Sequence, residues 1–420
     1  MHQEHRASSR GRFAHALLAV VAASGAATLV AACHEGVDVE DELPLFAATT
    51  RLDPSSGAPG RSWSHASLEA LAAMGPYGFA TRDLVLVDAT RATPPNRSYP
   101  GSPARTLPTR VYYPALPASL AASPPPAQPV PVAGGARFPL VAYAHGFTSR
   151  GEPARHMAEY LATHGYIVAA PLFPLSRGDA PGGPTVADVS RQPGDLAFVL
   201  KAITSLGGEH RDLAAAADGS RQGLVGFSAG GLTALLAVYH PALHIDGIDA
   251  AVVEAPVSCF LGQPVYQRAL PVLMLAGTAD ELVPREGPER AFQLAPSPVV
   301  LAELLGGTHS GFSNTERPAV TNTDVLECER LLSSDPTQDD LILQQSIEQG
   351  AGPGAFDDAI CGDLCSVRLP QTMGARRQDQ IARAATLAHF EATLKGRSEA
   401  AVFRDVKLDQ LPDVVVQIKP

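Results

Sequence analysis

The sequence predicts an α/β protein, with a mostly parallel sheet covered by helices on both faces. Three observations predict it. Short, almost wholly apolar runs recur at residues 138–144, 166–170, 250–254, 270–276 and 299–305, as strands buried on both faces do. Segments of helical length and periodicity alternate with them at residues 152–164, 192–206, 229–240, 285–292 and 378–395. Of the 420 residues, those left after the ends are set aside fit one α/β core.

The first 32 residues read as a leader. Arg6, Arg10 and Arg12 give a positive start, and residues 13–32 are apolar or small, broken only by His15, Ser24 and Thr28, which is a secretory signal pattern. The run Leu29-Val30-Ala31-Ala32-Cys33 resembles a bacterial lipobox, in which Cys33 becomes the lipidated first residue. An uncleaved anchor helix and a plain cleaved signal are the alternatives, because about twenty apolar residues just span a bilayer. All three readings place the protein outside the cytoplasm. By resemblance to bacterial lipoproteins, His34 after the cysteine leans toward the outer membrane. Residues 33–75 are polar and weakly periodic, and read as a flexible tether. The folded domain is expected over residues 76–420.

Two strands open that domain, one around Leu84-Val85-Leu86-Val87-Asp88 and one over residues 105–114. A Pro-rich surface loop at 115–137 leads to the strand at 138–144. Residues 314–373 interrupt the passage from the last core strands to the final helix, with helix-like stretches at 323–332 and 336–348. They contain three of the four cysteines beyond Cys33, namely Cys328, Cys361 and Cys365; the fourth is Cys259. Export permits disulfides, and four cysteines pair in three possible ways. The segment is expected either to cap the site mouth or to be a braced surface excursion.

The net charge is −11, and −13 once residues 1–32 are removed, with no basic patch. That argues against nucleic-acid binding. No metal-ligand spacing stands out, and no cofactor is expected.

The chemistry concentrates in one pentapeptide. Gly226-Phe227-Ser228-Ala229-Gly230 follows Leu224-Val225 and opens a helix-like run. Strand, sharp turn and helix are what a nucleophile elbow requires, with Ser228 projecting above the sheet. A serine hydroxyl needs a base to take its proton and a third group to orient that base. Asp280 ends the strand-like run after residue 270, where open α/β sheets place their sites. His309 follows the strand-like run at 299–305 within Gly307-Thr308-His309-Ser310-Gly311. The rival reading of Asp280 is a helix cap, and Glu254, at the end of the preceding strand, is the alternative acid. Phe147, Phe227 and Phe312 flank the motif residues, either as walls of an apolar acyl pocket or as core.

Together His145-Gly146-Phe147, Gly226-Phe227-Ser228-Ala229-Gly230-Gly231, Gly277-Thr278-Ala279-Asp280 and Gly307-Thr308-His309 resemble the α/β-hydrolase superfamily. The order Ser228, Asp280, His309 is the order of its triad. Within it the chain looks most like the group of dienelactone hydrolases, platelet-activating-factor acetylhydrolases, chlorophyllases and polyester hydrolases. Ser228 stands where dienelactone hydrolases usually carry cysteine, which argues against a dienelactone substrate. The resemblance implies cofactor-free hydrolysis of a small ester or lipid through an acyl-enzyme. It further implies an oxyanion hole from the backbone N–H groups of Phe147 and Ala229. A peptidase of the same fold and a non-catalytic binding lipoprotein are the rival readings.

Overall fold

The computed structural model describes residue 63 and residues 66–117, 130–149, 155–313, 324, 338–359, 361 and 369–420. The strands, in chain order, are β1 (Gly78–Asp88), β2 (Arg105–Ala115), β3 (Phe138–Ala144), β4 (Ile167–Pro171), β5 (Ala217–Phe227), β6 (Ala250–Glu254), β7 (Val272–Gly277), β8 (Val299–Leu304) and β9 (Val414–Lys419). They form one nine-stranded sheet in the order β1-β2-β4-β3-β5-β6-β7-β8-β9. Neighbours from β4 through β3 to β8 are parallel, whereas β1, β2 and β9 join antiparallel.

Burial explains the sequence patterns. Every residue of β3, β4, β6, β7 and β8 is buried, so these strands carry no polar face. Along the edge strand β1 burial alternates, and Val85 and Val87 point to solvent. Among the described residues the helices of nine or more residues are α1 (Arg155–Thr163), α2 (Gln192–Thr204), α3 (Ala229–Tyr239), α4 (Glu286–Leu294), α5 (Gln338–Ala351) and α6 (Ala375–Thr393). All eleven residues of α3 are buried, which is why it is apolar all round rather than amphipathic. Two core clusters result, one on each face of the sheet. Val252 and Ala250 lie in the cluster under α6, and period-two alternation puts Glu254 on that face.

Three findings depart from the sequence reading. Residues 66–75 are not tether: Leu68–Ala72 is a helix with Leu68, Leu71 and Ala72 buried, its N-terminus capped by Ser67. Trp63, which falls in the tether by sequence, is buried edge-on against Phe403. Strand β9 lies outside every strand that the sequence pattern predicts. The leader, Cys33, Cys328 and Cys365 lie outside the described residues. Among the described residues no helix is long and apolar enough to cross a membrane.

The structure selects one cysteine pair, Cys259–Cys361, 102 residues apart in sequence. Closing a loop of that length removes about 4–5 kcal/mol of chain entropy from the unfolded state. The bridge fastens the later part of the 314–373 segment to the loop after β6, where Phe260 stacks on Phe356 and Arg290 pairs with Asp357. Helix α5 packs nearby, its Ile347 carbonyl 2.8 Å from His240 Nε2.

A buried ion cluster lies on the same face of the sheet, beside α5. Arg105 is 1 % exposed and contacts both Asp188 and Asp195, at 3.0 and 2.5 Å. Removing one partner of such a cluster costs about 3–5 kcal/mol, because a charge is left buried and alone. Asp188 also accepts the Leu175 N–H at 3.2 Å, which ties this cluster to the loop after β4.

Candidate active site

The elbow joins β5 to α3 at Ser228, whose backbone is forced to φ 57° and ψ −119°. A left-handed serine costs about 1–3 kcal/mol and persists only where its surroundings over-determine it. Here they do. Ser228 N–H donates to Glu254 O at 2.9 Å, and Ser228 O accepts Leu232 N–H at 3.1 Å. A Cβ on Gly226 would meet Gly230 O at 2.2 Å, and one on Gly230 would meet Ala144 O at 2.0 Å. Both glycines are therefore required by close approach of backbone, as the pentapeptide suggested.

The three candidate side chains converge. Ser228 Oγ lies 3.0 Å from His309 Nε2, and His309 Nδ1 lies 2.8 Å from Asp280 Oδ2. All three residues are buried, Ser228 being the most accessible at 9 %. The second Asp280 oxygen accepts the N–H groups of Leu282 and Val283, at 2.9 and 2.7 Å. Burial pushes the Asp280 carboxyl above its usual range, while contact with His309 pulls the other way. With Nδ1–H given to Asp280, the imidazole presents a lone pair at Nε2 to the serine. That is the arrangement needed to take a proton from Ser228 and return it to a leaving group.

The His145-Gly146-Phe147 loop sits against the elbow, since a Cβ on Gly146 would approach Ser228 Cβ to 3.4 Å. His145 holds that loop. Its Nδ1 meets Gly146 O at 2.8 Å and its Nε2 accepts Phe173 N–H at 3.0 Å. Burial lowers its pKa to about 4, so the ring is neutral and each nitrogen has one role. Thr148, at φ 59°, donates its N–H to Ser176 O, and Gln192 Nε2 donates to Ser176 Oγ. Thr233 of α3 donates in turn to Gln192 Oε1. The amides of Phe147 and Ala229 have no protein acceptor among the described residues. Two free amide donors thus flank the serine, one on the loop after β3 and one at the start of α3, and Ser176 and Gln192 tie that loop to that helix.

The candidate aromatic residues divide. Phe227 is half-buried, its ring 4.9 Å from the His309 ring, and Phe147 is half-buried as well. Phe312 is 1 % exposed inside the cluster under α6, so it is core rather than a pocket wall. The turn Ser310–Phe312 carries it inward.

Glu254, the alternative acid, is fully buried, and neither carboxyl oxygen has a hydrogen-bond partner. Burial, reinforced by Asp379, pushes its pKa up to about 8, so it is mostly neutral at pH 7. A carboxyl that ionises at about 8 when folded but at its ordinary 4.5 when unfolded binds more protons in the native state between those values. Stability therefore falls as pH rises through that window. Glu254→Gln is expected to remove the slope, raising Tm at pH 8 by about 4 °C or more, with the gain shrinking toward pH 5. Thermal unfolding of both proteins from pH 5 to 9 checks this; identical curves at every pH would contradict it.

Sequence reasoning missed two residues that hold the histidine loop. Gln378 of α6 brackets Thr308, accepting its N–H at 3.0 Å and donating to its carbonyl at 2.7 Å. Asp324 accepts from His309 and Ser310. Nothing local marks either one, because both act across the fold. Among the described residues no group of three or more His, Cys, Asp or Glu could hold a metal ion.

No protein-family model matches the chain. No curated protein matches it. Among solved structures it is similar to a ferulic acid esterase from Streptomyces cinnamoneus, with a TM-score of 0.53 and 23% identity over 83% of this chain and 98% of that one. Taken with the strand order and the strand–serine–helix turn, that likeness shows the architecture: the chain has the α/β-hydrolase fold.

Proposed function

We propose that this protein is a serine esterase that cleaves carboxylic esters through an acyl-enzyme. The observation that carries the reading is the unbroken relay from Ser228 through His309 to Asp280, at 3.0 and 2.8 Å. Ser228 Oγ attacks the ester carbonyl as His309 Nε2 takes its proton. The N–H groups of Phe147 and Ala229 receive the negative charge on the carbonyl oxygen. Collapse expels the alcohol, protonated by His309, and water repeats the sequence to release the acid. Asp280 holds the imidazole tautomer and stabilises the imidazolium throughout. The structural likeness to a ferulic acid esterase supports esters over other acyl substrates.

The reading extends to a location. Export and lipid anchoring at Cys33, with the protein held at a bacterial envelope surface, rest on the charge and apolar pattern of residues 1–33. The small-molecule or lipid ester would then meet the enzyme outside the cytoplasm.

A panel of p-nitrophenyl esters from acetyl to palmitoyl, a hydroxycinnamate ester and peptide anilides tests the function. Turnover of at least one ester, with anilides slower by a hundredfold or more, is expected. Anilide turnover matching that of esters would move the assignment to a peptidase of the same fold.

A further inference from the structure

Asp324 belongs to none of the elements that carry the relay. It lies in the segment that separates β8 from α6, yet it is fully buried. Its Oδ2 accepts the His309 N–H at 2.8 Å. Its Oδ1 accepts the Ser310 N–H at 2.9 Å and the Ser310 hydroxyl at 2.5 Å. All three bonds go to the residue that bears the imidazole and to its neighbour. His309 stands at the start of the Ser310–Phe312 turn, where a side chain would ordinarily cap the free amides. The imidazole is committed to Ser228 and Asp280, so His309 cannot cap its own turn. Thr308 Oγ1 accepts the Gly311 N–H at 3.0 Å instead, and a carboxylate brought from 15 residues further along takes the amides of His309 and Ser310.

The same segment grips the Asp280 loop and the start of the His309 loop. Leu369 N–H donates to buried Glu281, next to Asp280, at 3.0 Å, and Met373 N–H donates to Gly306 O at 3.2 Å. Asp324 and Asp280 also sense each other electrostatically, the charge of Asp324 raising the Asp280 carboxyl. His309 is thus held between two carboxylates, one on its ring and one on its backbone amide.

We infer that Asp324 is a positioning residue for catalysis, fixing the backbone of His309 so that Nε2 stays in line with Ser228. The inference rests on the esterase reading of the relay. Its role differs from that of Asp280, because it touches neither the ring nor the reacting atoms. Charge-assisted hydrogen bonds to two successive amides are stronger than neutral ones, and they act on the Cα from which the ring hangs. A misplacement of about 1 Å in a reacting group costs about a hundredfold in rate. The loss belongs in kcat, since nothing in these contacts forms a substrate surface.

The test compares full-length wild type, Asp324→Asn and Asp324→Ala, with rates normalised to the fraction of molecules that fluorophosphonate labels at completion. Asp324→Ala is expected to lower kcat about a hundredfold with KM within about threefold of wild type. Asp324→Asn, which keeps one acceptor oxygen but loses the charge and the second acceptor, is expected to fall about tenfold and to remain folded. A purely structural role would lower the labelled fraction and leave normalised kcat unchanged, and that result for Asp324→Asn would overturn the inference. So would a loss confined to KM. A wild type inert to both esters and fluorophosphonate would instead overturn the hydrolase reading, and this inference with it.

Discussion

Ser228→Ala is expected to lower kcat on the best ester by about a millionfold while the protein stays folded. The substitution removes only the hydroxyl that His309 Nε2 meets at 3.0 Å. Alanine in the left-handed backbone of residue 228 is no more strained than serine there, and the glycines on either side still admit the turn. The residual rate, about a thousand- to ten-thousandfold above water, is what two amide donors and substrate binding supply alone. KM should change little, because the serine contributes reactivity rather than binding area. Steady-state kinetics beside a thermal melt separates this outcome from unfolding. Residual activity within a hundredfold of wild type would mean that another group attacks the ester.

Asp280→Asn is expected to cost about ten-thousandfold in kcat, with Tm close to wild type. Asp280 accepts Nδ1–H, so the lone pair of the ring sits at Nε2, facing Ser228. An amide can instead donate to Nδ1, which places the proton on Nε2 and leaves no acceptor for the serine. The substituted side chain keeps one oxygen for the Leu282 or Val283 amides, so the loop is retained. Glu254 cannot stand in: it is buried and mostly neutral at pH 7, and its carboxyl is bonded to nothing. The comparison therefore also decides between the two acids that the strand ends offered. If Glu254 were the acid, Asp280→Asn would retain activity and Glu254→Gln would abolish it.

The contrast between these acids shows what the sequence carried. Ser228, Asp280 and His309 were legible because each closes a buried strand with a glycine-marked turn, a local pattern that the parallel sheet brings to one edge. The sequence placed Asp280 ahead of Glu254, although both end strands, and in the structure it is the Asp280 side chain that reaches the imidazole. Phe312 reads like Phe227 in a motif, yet the Ser310–Phe312 turn sends one ring into the core and leaves the other against His309. Residues 66–75 looked like tether because five helical residues give too short a period to detect. Strand β9 carries a β-branched run of its own, Val414-Val415-Val416 and Ile418, which the sequence reading passed over; on the sheet edge only Val414 is buried, so the run lacks the neighbouring strand and helix signals that frame β6 or β7. Arg105, Gln378 and Asp324 were invisible for another reason. Each is a polar residue whose partners are distant in sequence, and no local rule says that a charge will be buried and satisfied.

The same logic accounts for the arrangement of the site. The serine turn is strained and depends on glycine contacts. Free amides must point into one small volume. Both requirements are met by loops fastened at their backs, through His145, Ser176 and Gln192 on one side and through Gln378, Asp324 and Glu281 on the other. Rigid support behind free donors is what electrostatic preorganisation asks of a scaffold.

The most direct measurement is covalent labelling by a fluorophosphonate followed by peptide mass mapping. The account predicts one adduct per molecule, on the peptide that contains Ser228, absent from Ser228→Ala and slowed in His309→Ala. A wild type that takes up no label, or takes it up on a different serine, would contradict it.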